Sequence, residues 1–183
     1  MVNKWFKWAG KCPPIYIFAL ALLILLTENI NAQNISKHYI STQSEQGILY
    51  FILPDKQFKN NETESKLIYD ITYMTINDSV TLNFSYFDMA QININSIVFT
   101  LDEHKFWSPA NKLFIATKKL KWHYRYSAKF LFEDINTIFN STTPPEITII
   151  SDQGNKELKT RPGKWKKHSA IVKKIITLIK YNQ

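Results

Sequence analysis

Cysteine is nearly absent from this chain: Cys12 is the only one, and it precedes the long apolar run of residues 15–26. No disulfide framework and no cysteine-based zinc site can be built beyond it. Its position also disfavours acylation, because a lipoprotein attachment cysteine follows the apolar run. Glycine is almost as scarce, with four residues, Gly10, Gly47, Gly154 and Gly163, none of them clustered. Phosphate-cradling loops need glycine so that backbone N–H groups can approach the anion closely. Walker loops, dinucleotide loops and the G-x-S-x-G nucleophile elbow are therefore excluded.

Arginine is the third scarcity. Two arginines stand beside 21 lysines, with abundant Ile and Asn. That bias toward residues with AT-rich codons, together with a cysteine-free body, points to a bacterial envelope protein. The N-x-S/T matches at Asn34, Asn61, Asn77, Asn83 and Asn140 are then chance occurrences in an Asn-rich chain. In a eukaryotic host they would be glycosylation candidates.

What is present begins with residues 1–32. Lys4, Lys7 and Lys11 form a positive n-region, Ile15–Leu26 is an unbroken apolar run, and a polar stretch ends at Ala32. This order is that of a secretory signal peptide cleaved after Ala32. As a helix the run spans about 18 Å, short of the roughly 30 Å of bilayer hydrocarbon. A retained N-terminal anchor is the alternative. Residues 33–183 are then expected to form a single domain, exported through the secretory pathway to the periplasm, the outer membrane or the medium.

Charge is unevenly placed. Residues 33–150 hold 11 basic and 12 acidic side chains, whereas residues 151–183 hold 9 basic and 2 acidic. The positive excess of the exported part is thus a C-terminal property.

Much of residues 47–151 alternates with period two, the pattern of half-buried strands. Strands are expected at Gly47–Leu53, at Leu67–Tyr73, and at Val80–Tyr86, with Asn77-Asp78 as a tight turn between the last two. Further strands are expected at Ile94–Leu101, Leu113–Thr117, Leu120–Ser127 and Glu146–Ser151. Leu120, Trp122, Tyr124 and Tyr126 are placed on one face of theirs. The polar segment Asp55–Lys66 reads as a mobile loop. Leu131, Phe132, Ile135, Ile138 and Phe139 recur at helical spacing, with Glu133 and Asp134 suited to the helix start. Gly163–Lys180 forms a second amphipathic helix, in which Trp165, Ile171, Val172, Ile175, Ile176, Leu178 and Ile179 fill one sector opposite the lysines. The fold class is α+β: a largely antiparallel sheet with two late amphipathic helices packed on one face.

The search for chemistry yields no catalytic set. Asp102-Glu103-His104 and Asp152-Gln153-Gly154-Asn155 read as solvated turns, and His168 as a packed residue within the apolar sector. No histidine pair has metal-ligand spacing, so no metal and no cofactor are expected. The remaining candidate is the row Lys121, His123 and Arg125, alternate residues on one strand face, spaced to meet an anion. Phosphate, sulfate or carboxylate groups of an envelope glycan, a lipid surface or another envelope protein are the partners this implies. Nucleic acid is not among them, because the aromatics of that strand lie on its other face. The expected function is therefore a non-catalytic binding or structural module. A small secreted hydrolase-like enzyme is one alternative. A membrane-surface binder acting through the basic C-terminal helix is the other.

Overall fold

Strands with two-residue alternation organise the molecule. In the computed structural model, which describes residues 35–53 and 57–183, the chain divides into two units, Met1–Ser36 and Lys37–Gln183. The described residues belong almost entirely to the second, and the signal-peptide reading of residues 1–32 lies outside them.

The strands β1 (Tyr39–Ser44), β2 (Gly47–Ile52), β3 (Gln57–Lys59), β4 (Lys66–Met74), β5 (Ser79–Asp88), β8 (Asn111–Lys118) and β9 (Lys121–Leu131) form one antiparallel sheet. Its order is β1-β2-β4-β5-β9-β8, with β3 also paired to β4. The strands β6 (Ile94–Leu101), β7 (His104–Pro109), β10 (Glu146–Ser151) and β11 (Gly154–Leu158) form a smaller antiparallel sheet ordered β11-β10-β6-β7. Helix α1 (Phe132–Asn140) continues directly from β9, and helix α2 (Pro162–Tyr181) ends the chain. The class is α+β with mostly antiparallel pairing.

Register stacks the inner face of the large sheet into rows. Leu67, Tyr86 and Tyr124 make one row, Tyr69, Phe84 and Tyr126 the next, then Ile71, Leu82 and Ala128, then Tyr73, Val80 and Phe130. All twelve are buried. Burial of a large apolar side chain contributes roughly 1.5–3 kcal/mol, so these rows dominate the core. The apolar alternation of these strands places Tyr69, Ile71, Leu82, Phe84, Trp122 and Tyr124 inside; all are enclosed except Trp122, which is half-buried.

Two different covers close this face. Over β4 lies α2: Trp165 packs edge-on against Phe58, His168 against Tyr69, and Gln183 donates to the Tyr73 hydroxyl. Over β9 lies the small sheet, with Phe99 edge-on to both Phe130 and Tyr69. Helix α1 packs against α2, with Phe139 stacked on Trp165 at 5.4 Å and Lys180 bonded to Glu133 at 3.1 Å. Trp165, Val172, Ile175, Ile176 and Ile179 are buried and Ile171 and Leu178 are half-buried, so the apolar sector of α2 is used up by the core. Among the described residues no helix is long and apolar enough to cross a membrane.

Four local expectations are corrected. The tight turn between β4 and β5 is centred on Thr75-Ile76 and not on Asn77-Asp78, and is closed by the Asn77 N–H donating to the Met74 carbonyl at 2.9 Å. Leu120 is not on the inner face of β9 but at the β8–β9 turn, where backbone geometry outweighs its hydrophobicity. The polar segment around Phe58 is not all loop: β3 pairs with β4, because one fully buried phenylalanine suffices to anchor it. Residues 54–56 of that segment lie outside the described ones. Strands β1, β7 and β11 form although YISTQS, HKFWSP and GNKEL lack apolar alternation.

Candidate functional site

The row expected on β9 exists, and its members face the outer side of the large sheet. Each meets its own surroundings. Arg125 donates to the Asp70 carboxylate at 2.5 Å and to Ser85 Oγ at 3.3 Å, while Asn83 also donates to Asp70 at 3.1 Å. His123 lies parallel to the Phe87 ring at 4.4 Å and meets Phe114 edge-on at 5.2 Å. Its Nε2 is buried without a partner. Burial, with the positive charges of Lys118 and Arg125 nearby, holds the imidazole below its usual pKa. Lys121 alone turns toward a concavity.

That concavity has a volume of about 340 Å³ and lies at the end of the large sheet where β3 and β4 meet and β9 begins. Lys59 and Lys66 line it from β3 and β4, Lys121 from β9, and Asn60, Asn61, Glu64 and Ser65 from the β3–β4 connection. The connection is closed by the Asn60 N–H donating to the Ser65 carbonyl at 3.0 Å. Asn60 Oδ1 accepts the N–H groups of Glu62 and Thr63, an Asx turn, and its Nδ2 reaches the Glu157 carbonyl on β11. A two-way backbone pair between Lys59 and Lys159 ties β3 to the chain beyond β11. The loop is thus fixed from two sheets.

Charge in the cavity is mainly positive. Lys121 Nζ donates to Glu64 Oε2 at 3.1 Å and to the Glu64 carbonyl at 3.2 Å. Lys66 Nζ lies over the Phe87 ring, 4.9 Å from its centre. Three lysines and one acidic residue, Glu64, thus line the cavity, and of the three Lys121 is the one bonded to Glu64.

Beneath Ser65 is a buried polar cluster. Ser65 Oγ donates to Asp88 at 2.9 Å, the Tyr86 hydroxyl donates to the same oxygen at 2.5 Å, and the Ala90 N–H donates to the other. Burial opposes ionisation of Asp88, but the bonds from Tyr86, Ala90 and Ser65, with Lys156 nearby, hold its pKa below the usual carboxylate value. The Tyr86 hydroxyl is pushed up by burial and by donating to that carboxylate. A charged acceptor and its donors, fully matched, keep the floor of the cavity rigid.

The other candidates are dispersed. Asp102, Glu103 and His104 are exposed at the β6–β7 turn, with Asp102 at φ 54°. Asp152 Oδ1 and Oδ2 accept the backbone and side-chain N–H groups of Asn93 at 2.9 and 2.8 Å, so this acid clamps a turn. His168 is buried with Nε2 2.9 Å from the Tyr69 hydroxyl, among the rings of Phe139 and Trp165. A second concavity of about 360 Å³ sits at the opposite end of β4 and β5, lined by Asp78, Phe132, Glu133 and Gln183 among others. Asp70, Asp102, Glu103, His104, His123 and Asp134 line neither concavity, and the acidic residues of the second are Asp78 and Glu133. Among the described residues no cluster of three or more His, Cys, Asp or Glu side chains could hold a metal ion.

Sequence reasoning found Lys121 but missed Lys59 and Lys66. They lie more than 50 positions before Lys121, and only the β4–β5–β9 register brings them to the same end of the sheet. Comparison of the chain with family models, curated proteins and solved structures gave no match.

Proposed function

We propose that this protein is an exported, non-catalytic binding module of a bacterial envelope, and that it takes an anionic ligand at the lysine-lined concavity. Export rests on the charge, apolar and polar order of residues 1–32 and on the absence of cysteine from residues 33–183. The observation that carries the binding reading is the convergence of Lys59, Lys66 and Lys121 on one cavity whose floor is held by the Asp88 cluster. Ammonium groups act as mobile point charges for phosphate, sulfate or carboxylate. An incoming anion competes with Glu64 for Lys121, so Glu64 sets a threshold that selects dense negative charge over a single carboxylate.

Calorimetric titration with glycerol phosphate and with a short uronic-acid oligosaccharide tests this reading. Binding that weakens with added salt and falls about tenfold in Lys66→Gln supports it. A chain that binds neither compound, or a Lys66→Gln variant that binds as well as the parent, removes the concavity as the site.

A further inference from the structure

The β8–β9 hairpin ends in the sequence Lys118-Lys119-Leu120-Lys121, with Lys118 paired to Lys121 across the turn. Both central residues are left-handed, Lys119 at φ 51° and Leu120 at φ 62°. This is the geometry of a two-residue turn that asparagine and glycine fill readily and L side chains with a bulky Cβ do not. Leu120 is 94 % exposed, so the core gains nothing from it. A residue that opposes its own backbone and leaves its apolar side chain in water is poorly explained by folding alone.

Its neighbours suggest what would cover it. Lys118 and Lys119 are exposed, and the acid bonded to Lys121 is Glu64. Asp88, the last residue of β5, pairs with Trp122, so Met89 leaves the sheet at the same end; it is 58 % exposed. Two large exposed apolar side chains thus lie at the same end of the sheet as the hairpin lysines and the lysine-lined concavity.

We propose that this end of the domain docks on an anionic lipid bilayer, with Leu120 and Met89 entering the interface while Lys118, Lys119 and Lys121 meet the head groups. A convex tip of leucine among lysines fits a deformable surface that is negative outside and apolar within. A soluble anion would use the lysines but not the leucine. The docking element is the hairpin and not α2, whose apolar sector is already covered.

The test uses the chain from Gln33, which contains the whole compact unit, in flotation with vesicles. Binding is expected to phosphatidylcholine vesicles carrying about 30 % phosphatidylglycerol and not to phosphatidylcholine alone, and to weaken as salt rises. Leu120→Asn suits the left-handed turn, so its melting temperature should be unchanged or raised while vesicle partitioning falls about tenfold. Lys119→Gln should lower partitioning about fivefold. Leu120→Gly gives the same readout through a second turn-compatible residue. Undiminished partitioning in both Leu120 variants would overturn the proposal, as would absence of binding to anionic vesicles. Loss of vesicle binding in Lys66→Gln with none in Leu120→Asn would also overturn it, and would leave anion capture at the concavity standing.

Discussion

Helix α2 and the β8–β9 hairpin are both rich in lysine, yet the fold treats them oppositely. The helix carries six lysines and no acid and has the wider apolar sector, but Trp165, Val172, Ile175, Ile176 and Ile179 are all buried against β4 and α1. The hairpin, Asn111–Leu131, also carries six basic side chains and no acidic one, and the leucine at its turn has no cover. Amphipathic pattern alone therefore does not locate a binding surface. What matters is whether the apolar side is already spent on the core, and that is set by the register of distant strands.

The comparison breaks most visibly at Ile175, which is fully enclosed. Ile175→Asp puts an unpaired carboxylate in the core and should lower stability by more than about 4 kcal/mol in chemical denaturation, or prevent folding. A nearly unchanged midpoint would mean that α2 is a detachable tail. Phe84, stacked on Tyr126 at 5.8 Å within the inner rows, gives the next largest effect. Phe84→Ala should cost about 3–5 kcal/mol, and a loss below about 1 kcal/mol would show that the inner face was wrongly identified.

A smaller effect concerns the outer face. His123 has its pKa lowered by burial beside Phe87 and Phe114 and by Lys118 and Arg125. The unfolded chain therefore takes up this proton more readily than the folded one. The stabilising contribution is complete above about pH 6.5 and is lost as pH falls through the lower folded value. Denaturation midpoints measured from pH 8 down to pH 5 should decline, and His123→Phe should flatten part of that decline. An equal decline in the variant would assign it to other groups. The smallest effect is at the hairpin itself. Leu120→Asn should raise stability by up to about 1 kcal/mol, because asparagine tolerates the left-handed backbone that leucine resists.

Much of the architecture was legible from local pattern. The alternation in Leu67–Tyr73 and Val80–Tyr86 specifies their buried face, and the apolar sector of residues 165–179 specifies the docked side of α2. The second sheet was not legible as a separate layer, because Ile94–Leu101 and Glu146–Ser151 look like any other strands until their mutual pairing is known. Strands β3 and β11 each depend on one buried residue, Phe58 and Leu158, within otherwise polar stretches. The turn at Lys119-Leu120 carries none of the glycine or asparagine that normally marks it, so the local pattern places Leu120 on the strand. Of the site, the β9 row was visible, but its division was not. Asp70 claims Arg125, aromatic rings enclose His123, and Lys121 joins lysines from β3 and β4.

Hydrogen exchange of the chain from Gln33, with and without anionic vesicles, tests the contrast between hairpin and helix most directly. The account predicts added protection for amides of residues 118–122 and of the 60–66 connection, and unchanged exchange throughout residues 162–181. Protection appearing along 162–181 while the hairpin stays unaltered would contradict it.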